Sequence, residues 1–192
     1  MGQTIVIFGA SGDLTSRKLI PAIYSLHHVA DEASGPLPVM LRRLSTVHRP
    51  AGLQVTVVPE GRPVPLPAAC EQAMLRWTGE ALFNAAAHGK ATRARVRLRY
   101  RADAAIISVS DNGTGDPAQL RRALRLSSTG DLSGRHRGLA NMLEMASELG
   151  GTLSIRGSRS GGILLQLSVP LPWPGGGSGG RRSPAEGDGG HA

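Results

Sequence analysis

The stretch E-A-L-F-N-A-A-A-H (residues 80–88), read together with the pentapeptide D-N-G-T-G (residues 111–115), decides how the rest of the chain is interpreted. Glu80, Asn84 and His88 stand four residues apart in an otherwise apolar run, so a helix stacks them along one face with a slow drift. The pentapeptide follows A-A-I-I-S-V-S, a β-like run that delivers Asp111 at its end. Gly113 and Gly115 then let the backbone turn tightly and approach a ligand with no Cβ in the way. A carboxylate is thereby fixed beside an open loop.

These residues resemble the N box and first glycine box of the ATP-binding domain of sensor histidine kinases, whose fold is shared with gyrase, Hsp90 and MutL. The resemblance implies that Asn84 holds Mg²⁺ and that Asp111 accepts a hydrogen bond from the adenine amino group, with His88, Gly113 and Gly115 also lining the nucleotide. The chemistry agrees: Mg²⁺ keeps oxygen ligands and bridges phosphates, and a buried carboxylate acceptor separates adenine from guanine by what it leaves unpaired. Further on, G-R-H-R-G-L-A-N-M (residues 134–142) resembles the second glycine box. There the backbone N–H groups of Gly134, Gly138 and Leu139, at a helix start, would hold the phosphates. The intervening residues 116–137 correspond to a mobile ATP lid, whose Arg121, Arg122, Arg125, Arg135 and Arg137 offer charge to phosphates. Glu80 would be the catalytic group, orienting or deprotonating the attacking group.

Working outward, the run from Ala68 to His88 has no proline and good helix formers, with Met74, Trp77 or Thr78, Ala81 and Ala85 at helical spacing, and Trp77 and Phe83 are expected in the core. Leu53, Val55 and Val57 alternate with polar residues and predict a half-buried strand. Val96, Leu98 and Tyr100 alternate with Arg95, Arg97 and Arg99, then R-A-D-A turns into A-I-I-S-V-S. An antiparallel hairpin with a solvated, arginine-rich side accounts for this, a partner surface being the minor reading. Residues 138–149 read as a helix opening at Gly138, and residues 150–172 as two strands around a glycine turn. The expected fold class is α/β, an α+β two-layer sandwich of the Bergerat ATP-binding type, with a mixed, mostly antiparallel sheet and helices on one face.

A strand-loop-helix arm precedes it. G-A-S-G-D-L-T-S-R-K-L-I-P-A-I-Y resembles the amino-terminal fingerprint of glucose-6-phosphate dehydrogenase, which would set Gly9, Ser11, Gly12, Asp13 and Leu14 against the NADP pyrophosphate. A dinucleotide site needs a whole wound sheet, for which this chain has no length left, so NADP ranks far below ATP as the ligand. The expected division is an arm at 1–26, a linker with one short helix at 27–51, the kinase-like domain at 52–172 and a disordered glycine-rich tail at 173–192. Pro36 and Pro38 break any long helix in the linker, leaving 40–47 as the helical part.

The excess of 22 Lys+Arg over 14 Asp+Glu gives a net charge of +8 and favours anionic partners. The arginines form no stripe interleaved with aromatics, which weighs against nucleic acid. Cys70 stands alone, which excludes an internal disulfide framework and a Cys-rich zinc site, and it reads as a buried helix residue. The absence of a long apolar run and of a signal-peptide pattern makes the cytoplasm the expected location.

The kinase-like resemblance, nearest the nitrate-sensor branch, implies the ATP-binding catalytic domain of a two-component kinase. It would pass the γ-phosphate to a histidine supplied elsewhere, with a response regulator or histidine-bearing protein as partner. The paired dimerisation helices of such kinases are not recognised, so homodimerisation is left open; His27 and His28, near Asp31 and Glu32, read as a solvated helix end. Three departures from the pattern keep a second reading, a degenerate nucleotide-binding interaction module without transfer. They are Ala87 in place of a Lys, an extra residue between Gly134 and Gly138, and Ile163 in place of Thr or Ser. A third reading, a fragment related to the dehydrogenase, draws on the arm alone.

Overall fold

A computed structural model describes residues 35–47, 49–127 and 137–173. The dehydrogenase-like arm, His27, His28, His48, the middle of the lid with Gly134 and Arg135, and the tail from 174 onward lie outside the described residues. In chain order the elements are α1 (Leu37–Thr46), β1 (Gln54–Glu60), α2 (Ala68–Ala87), β2 (Arg93–Tyr100), β3 (Ala104–Asp111), α3 (Pro117–Ser127), α4 (Arg137–Glu148), β4 (Thr152–Gly157) and β5 (Ile163–Pro170).

The strands form one sheet in the order β1-β2-β3-β5-β4, with β1 parallel to β2 and every other pair antiparallel. The parallel pair needs a long connection between its strands, and α2 is that connection. Strand alternation sends Ala94, Val96, Leu98 and Tyr100 of β2, and Ala105, Ile107 and Val109 of β3, into the buried core, with Leu165, Leu167 and Val169 of β5 beside them. Asp111 has the same parity as Ile107 and Val109. Register alone therefore carries the carboxylate to the core side at the end of its strand; a one-residue slip would put Ser110 or Asn112 there instead.

Helix α2 buries Cys70, Met74, Leu75, Trp77, Thr78, Ala81, Leu82 and Ala85. Trp77, at 0% exposure, is the largest side chain fully inside; truncating such a residue costs about 3–5 kcal/mol. Phe83 departs from expectation: it is half-buried rather than in the core, and its ring stands edge-on to His88 with centroids 6.2 Å apart.

The linker helix also differs from its reading. It begins at Leu37, with Pro38 inside its first turn, where a missing N–H is harmless and a fixed φ helps. Glu71 of α2 accepts the otherwise unpaired Leu37 N–H at 3.2 Å. Leu37, Met40, Leu41 and Leu44 fall at i, i+3, i+4 and i+7 and join the same apolar cluster as α2 and the sheet, and Trp173, assigned to the tail, packs against it. Helix α3 opens on a helix-start signal: Asp116 Oδ1 accepts the Ala118 N–H at 2.7 Å and Pro117 follows it. Arg121 then ties α3 to the outer strand by donating from Nη1 to the Ile155 carbonyl at 3.1 Å.

Candidate functional site

The carboxylate of Asp111 is 6% exposed, and its Oδ1 accepts two backbone N–H groups, Gly113 at 2.7 Å and Ile163 at 3.3 Å. Among the described residues no hydrogen bond reaches Oδ2. The position expected to want a Thr or Ser thus meets Asp111 through its main chain, while the Ile163 side chain fills the space beside Gly115, where an added Cβ would lie 2.7 Å from Cγ1.

Four residues that sequence reasoning missed, Asn112, Ser160, Gly162 and Thr114, hold this loop. Asn112 Oδ1 accepts the N–H groups of Thr92 and Arg93 at 3.0 and 2.9 Å, and its Nδ2 donates to Thr92 Oγ1 at 3.0 Å. Ser160 Oγ donates to the Asp111 carbonyl at 2.8 Å. A Cβ on Gly162 would collide with Asp111 Oδ1, so only glycine allows the β4–β5 turn to approach so closely. The Thr114 N–H donates to the Gly89 carbonyl at 2.8 Å, stitching the loop to the end of α2. The Asn in D-N-G and the Gly161-Gly162 doublet were the available signals, since both residue types favour turns.

At the other end of the site, Glu80 and Asn84 are half-buried on α2. Asn84 Nδ2 donates to Glu80 Oε1 at 3.4 Å and to the Met142 sulfur at 3.6 Å. Gly138 of α4 lies directly against this pair: an added Cβ would stand 2.5 Å from Glu80 Oε1 and 3.3 Å from Asn84 Oδ1. Leu139 follows, buried in the core. The start of α4 and the polar face of α2 are therefore brought together, as are Asp111, Gly113, Gly115 and the glycine turn.

His88 is not brought to the Glu80–Asn84 pair. The helix ends at Ala87, and His88 caps it with its N–H on the Asn84 carbonyl, its side chain exposed and packed on Phe83. Two steps of four residues turn a helix by roughly 80°, enough to carry the third polar group off the face. Beyond it Lys90 takes a φ of 52°, a left-handed conformation uncommon outside glycine.

An amide whose Nδ2 is engaged within the protein presents Oδ1, a hard donor, beside the Glu80 carboxylate. That set suits Mg²⁺, which uses one or two protein oxygens and completes its shell with water and phosphates. Among the described residues no group of three or more His, Cys, Asp and Glu is assembled, a cluster Mg²⁺ does not require.

Comparison with known proteins gives a match to the model of the histidine kinase-, DNA gyrase B-, and HSP90-like ATPase over residues 71–172. A second model, the glucose-6-phosphate dehydrogenase NAD-binding domain, matches residues 6–33, outside the described residues. The chain is 38% identical over 96 residues to the sensor-type histidine kinase PrrB of Mycobacterium leprae, covering 48% of this chain and 22% of that protein. It is 27% identical over 121 residues to the sensor histidine kinase LnrJ of Bacillus subtilis, covering 63% of this chain and 27% of that one. The chain thus spans about a quarter of the length of these curated relatives. The histidine kinase domain of the blue-light activated kinase EL346 from Erythrobacter litoralis shares the fold, with a TM-score of 0.56 at 22% identity, over 85% of this chain and 77% of that domain.

Proposed function

Since this chain belongs to the histidine kinase-, DNA gyrase B-, and HSP90-like ATPase family, we propose that it binds Mg-ATP between α2, the Asp111 loop and the start of α4. It is then a kinase catalytic domain that passes the γ-phosphate to a histidine supplied by another segment or protein. The relatives' names as sensor kinases support a response regulator as the downstream partner. The packing of α1 and Trp173 on the same core supports counting both within the domain.

The observation that carries this reading is Asp111: buried, its Oδ1 held by Gly113 and Ile163, with Oδ2 left to accept from an exocyclic amine. A purine offering a carbonyl there instead would set acceptor against acceptor, which disfavours guanine. Asn84 Oδ1 would hold Mg²⁺, which when bound supplies charge neutralisation to the phosphates. Glu80 orients the Asn84 amide through Nδ2 and stands ready to accept a proton from, or align, the attacking imidazole. The N–H groups at the start of α4, from Gly138 onward, offer the helix's positive end to the phosphates. Positioning and charge account for most of the rate in such transfers, which fits a site with few titratable groups.

Titration with fluorescent ATP, with and without Mg²⁺ and alongside NADP, tests the proposal. Saturable, Mg-dependent ATP binding that Asp111→Asn abolishes is expected. Absence of ATP binding, or NADP binding in its place, would sink the reading. Ala87, at the exposed end of α2 where related kinases carry a Lys, favours one alternative: ATP binding without phosphate transfer to any added histidine substrate.

A further inference from the structure

The side of the sheet turned away from the core carries a charge pattern that the nucleotide site does not use. Because Ala94, Val96, Leu98 and Tyr100 are buried, the alternating Arg93, Arg95, Arg97 and Arg99 of β2 share the open side, about 7 Å apart from one to the next. The parallel register with β1 sets Glu60 opposite Arg99, and its two carboxylate oxygens pair with Arg97 Nε at 2.9 Å and Arg99 Nε at 3.0 Å. Of the two, Arg99 Nε also donates a hydrogen bond to Glu60, whereas Arg97 Nε is close enough for charge pairing but has no hydrogen-bond partner among the described residues. Arg93 and Arg95 are exposed, and no ion pair among the described residues involves either. Across β3 and β5 the register leads from Arg95 through Ser110 and Leu164 to Arg156 on β4, roughly 14 Å away. The floor between the two cationic sides is low and mostly polar, with Ser108 and Gln166 paired in the adjacent row.

We propose that this open side of the sheet is a docking surface for an acidic, extended segment of a partner protein. An extended peptide with a carboxylate at every second residue repeats at the same interval as the arginine row, and guanidinium edges bind carboxylates with two parallel hydrogen bonds. Glu60 is the intramolecular precedent: one carboxylate held by two neighbouring guanidinium groups. Single-stranded nucleic acid fits less well, because such platforms stack bases on aromatics, and Tyr100, the one aromatic residue of β2, is buried on the other side. A second copy would bring one arginine row against another on a chain of net charge +8. Within the chain itself, carboxylates two residues apart occur only once, at Glu186 and Asp188, too few to match a row of four arginines.

The experiment measures fluorescence anisotropy of a labelled peptide of alternating Glu and Ser on the full chain, with an unlabelled single-stranded oligonucleotide of equal charge as competitor. Saturable binding that weakens with salt, and falls about tenfold or more in Arg93→Glu/Arg95→Glu while ATP binding is unchanged, is the expected result. The neutral pair Arg93→Gln/Arg95→Gln gives a smaller loss in the same direction and serves if the charge-reversed protein does not fold. Displacement of the peptide by the oligonucleotide at lower concentration would reassign the surface to nucleic acid. Failure of the peptide to bind, binding indifferent to both variants, or self-association abolished by them would overturn the proposal.

Discussion

Gly138→Ala separates the stability of the fold from the working of the candidate site. The added methyl would stand 2.5 Å from Glu80 Oε1 and 3.3 and 3.4 Å from the Asn84 amide atoms, so the Glu80 carboxylate must retreat by roughly 1 Å to restore van der Waals contact. Glu80 is half-buried at the end of a flexible stem, which makes that retreat inexpensive, while alanine in place of glycine favours the helix by up to about 1 kcal/mol. Net stability should therefore stay within about 1 kcal/mol of wild type, read as a melting shift of a few degrees in either direction. The Asn84–Glu80 hydrogen bond, 3.4 Å long, does not survive the displacement. Losing the orientation of one ligand amide through a charge-assisted bond is worth roughly 1.5–3 kcal/mol, or about ten- to a hundredfold in affinity. Thermal melts paired with ATP titrations, with Mg²⁺ and with chelator, should show a folded protein whose Mg-dependent increment is lost and whose Mg-free binding persists. Wild-type Mg-dependent affinity in a folded Gly138→Ala would refute the placement of the Glu80–Asn84 pair at the metal.

Three other substitutions or conditions probe the surrounding scaffold. Gly162→Ala sends its methyl onto Asp111 Oδ1 and within 2.6 Å of the Gly113 nitrogen, neither of which has room to move, so a loss of about 2–4 kcal/mol is expected in urea unfolding; an unchanged midpoint would contradict the turn's close approach. Asn112→Ala breaks three hydrogen bonds between the loop and β2 and should cost about 1–2 kcal/mol, while Asn112→Asp keeps the two to Oδ1 and recovers most of it; equal losses would mean that the amide does not clamp the loop. Burial, helped by the charge of Glu71, pushes the Cys70 thiol from 9.0 up to about 11 and the Tyr100 phenol from 10.0 to about 12. The unfolded chain therefore sheds these protons first, and stability, full below pH 9, should fall as pH rises toward 11 by roughly 2–3 kcal/mol for the thiol. Cys70→Ala should flatten that part of the slope, and an identical slope in the variant would assign it to other groups.

Local pattern recovered what local physics decides. Helix α2 could be read to within a residue of both ends because 68–87 holds no proline and, Gly79 apart, mostly good helix formers, and the arrival of Asp111 at a strand end followed from alternation alone. The core role of α1 was not legible. Pro36 and Pro38 look like breakers until Leu37 is seen to borrow an acceptor from Glu71, a partner 34 positions away. The arginine row was visible, but its pairing with Glu60 depends on a parallel register that no hairpin rule supplies. Ser160, Gly162 and Met142 reach the site only through tertiary contact, and His88 stands apart from the Glu80–Asn84 pair because each step of four residues overshoots a helical turn.

The two ends of the candidate site are held to different degrees, and the difference follows the chemistry each would perform. Around Asp111, bonds of 2.7 and 3.3 Å from the Gly113 and Ile163 N–H groups hold the carboxylate, while Ser160 on the Asp111 carbonyl and the Asn112 clamp hold the backbone that carries it. Around Asn84 the contacts are long, 3.4 Å to Glu80 and 3.6 Å to a sulfur, and Gly138 leaves the space that lets them adjust. A preorganised acceptor suits a rigid, planar base, because little ordering remains to offset the hydrogen bond gained. A loosely held amide and carboxylate suit a charge cluster whose geometry changes as a phosphoryl group leaves, since catalytic contacts tighten only when the reacting groups are present. The comparison of Mg-dependent and Mg-free binding in Gly138→Ala reads this division directly: it holds only if the base end keeps its affinity when the metal end has lost its own.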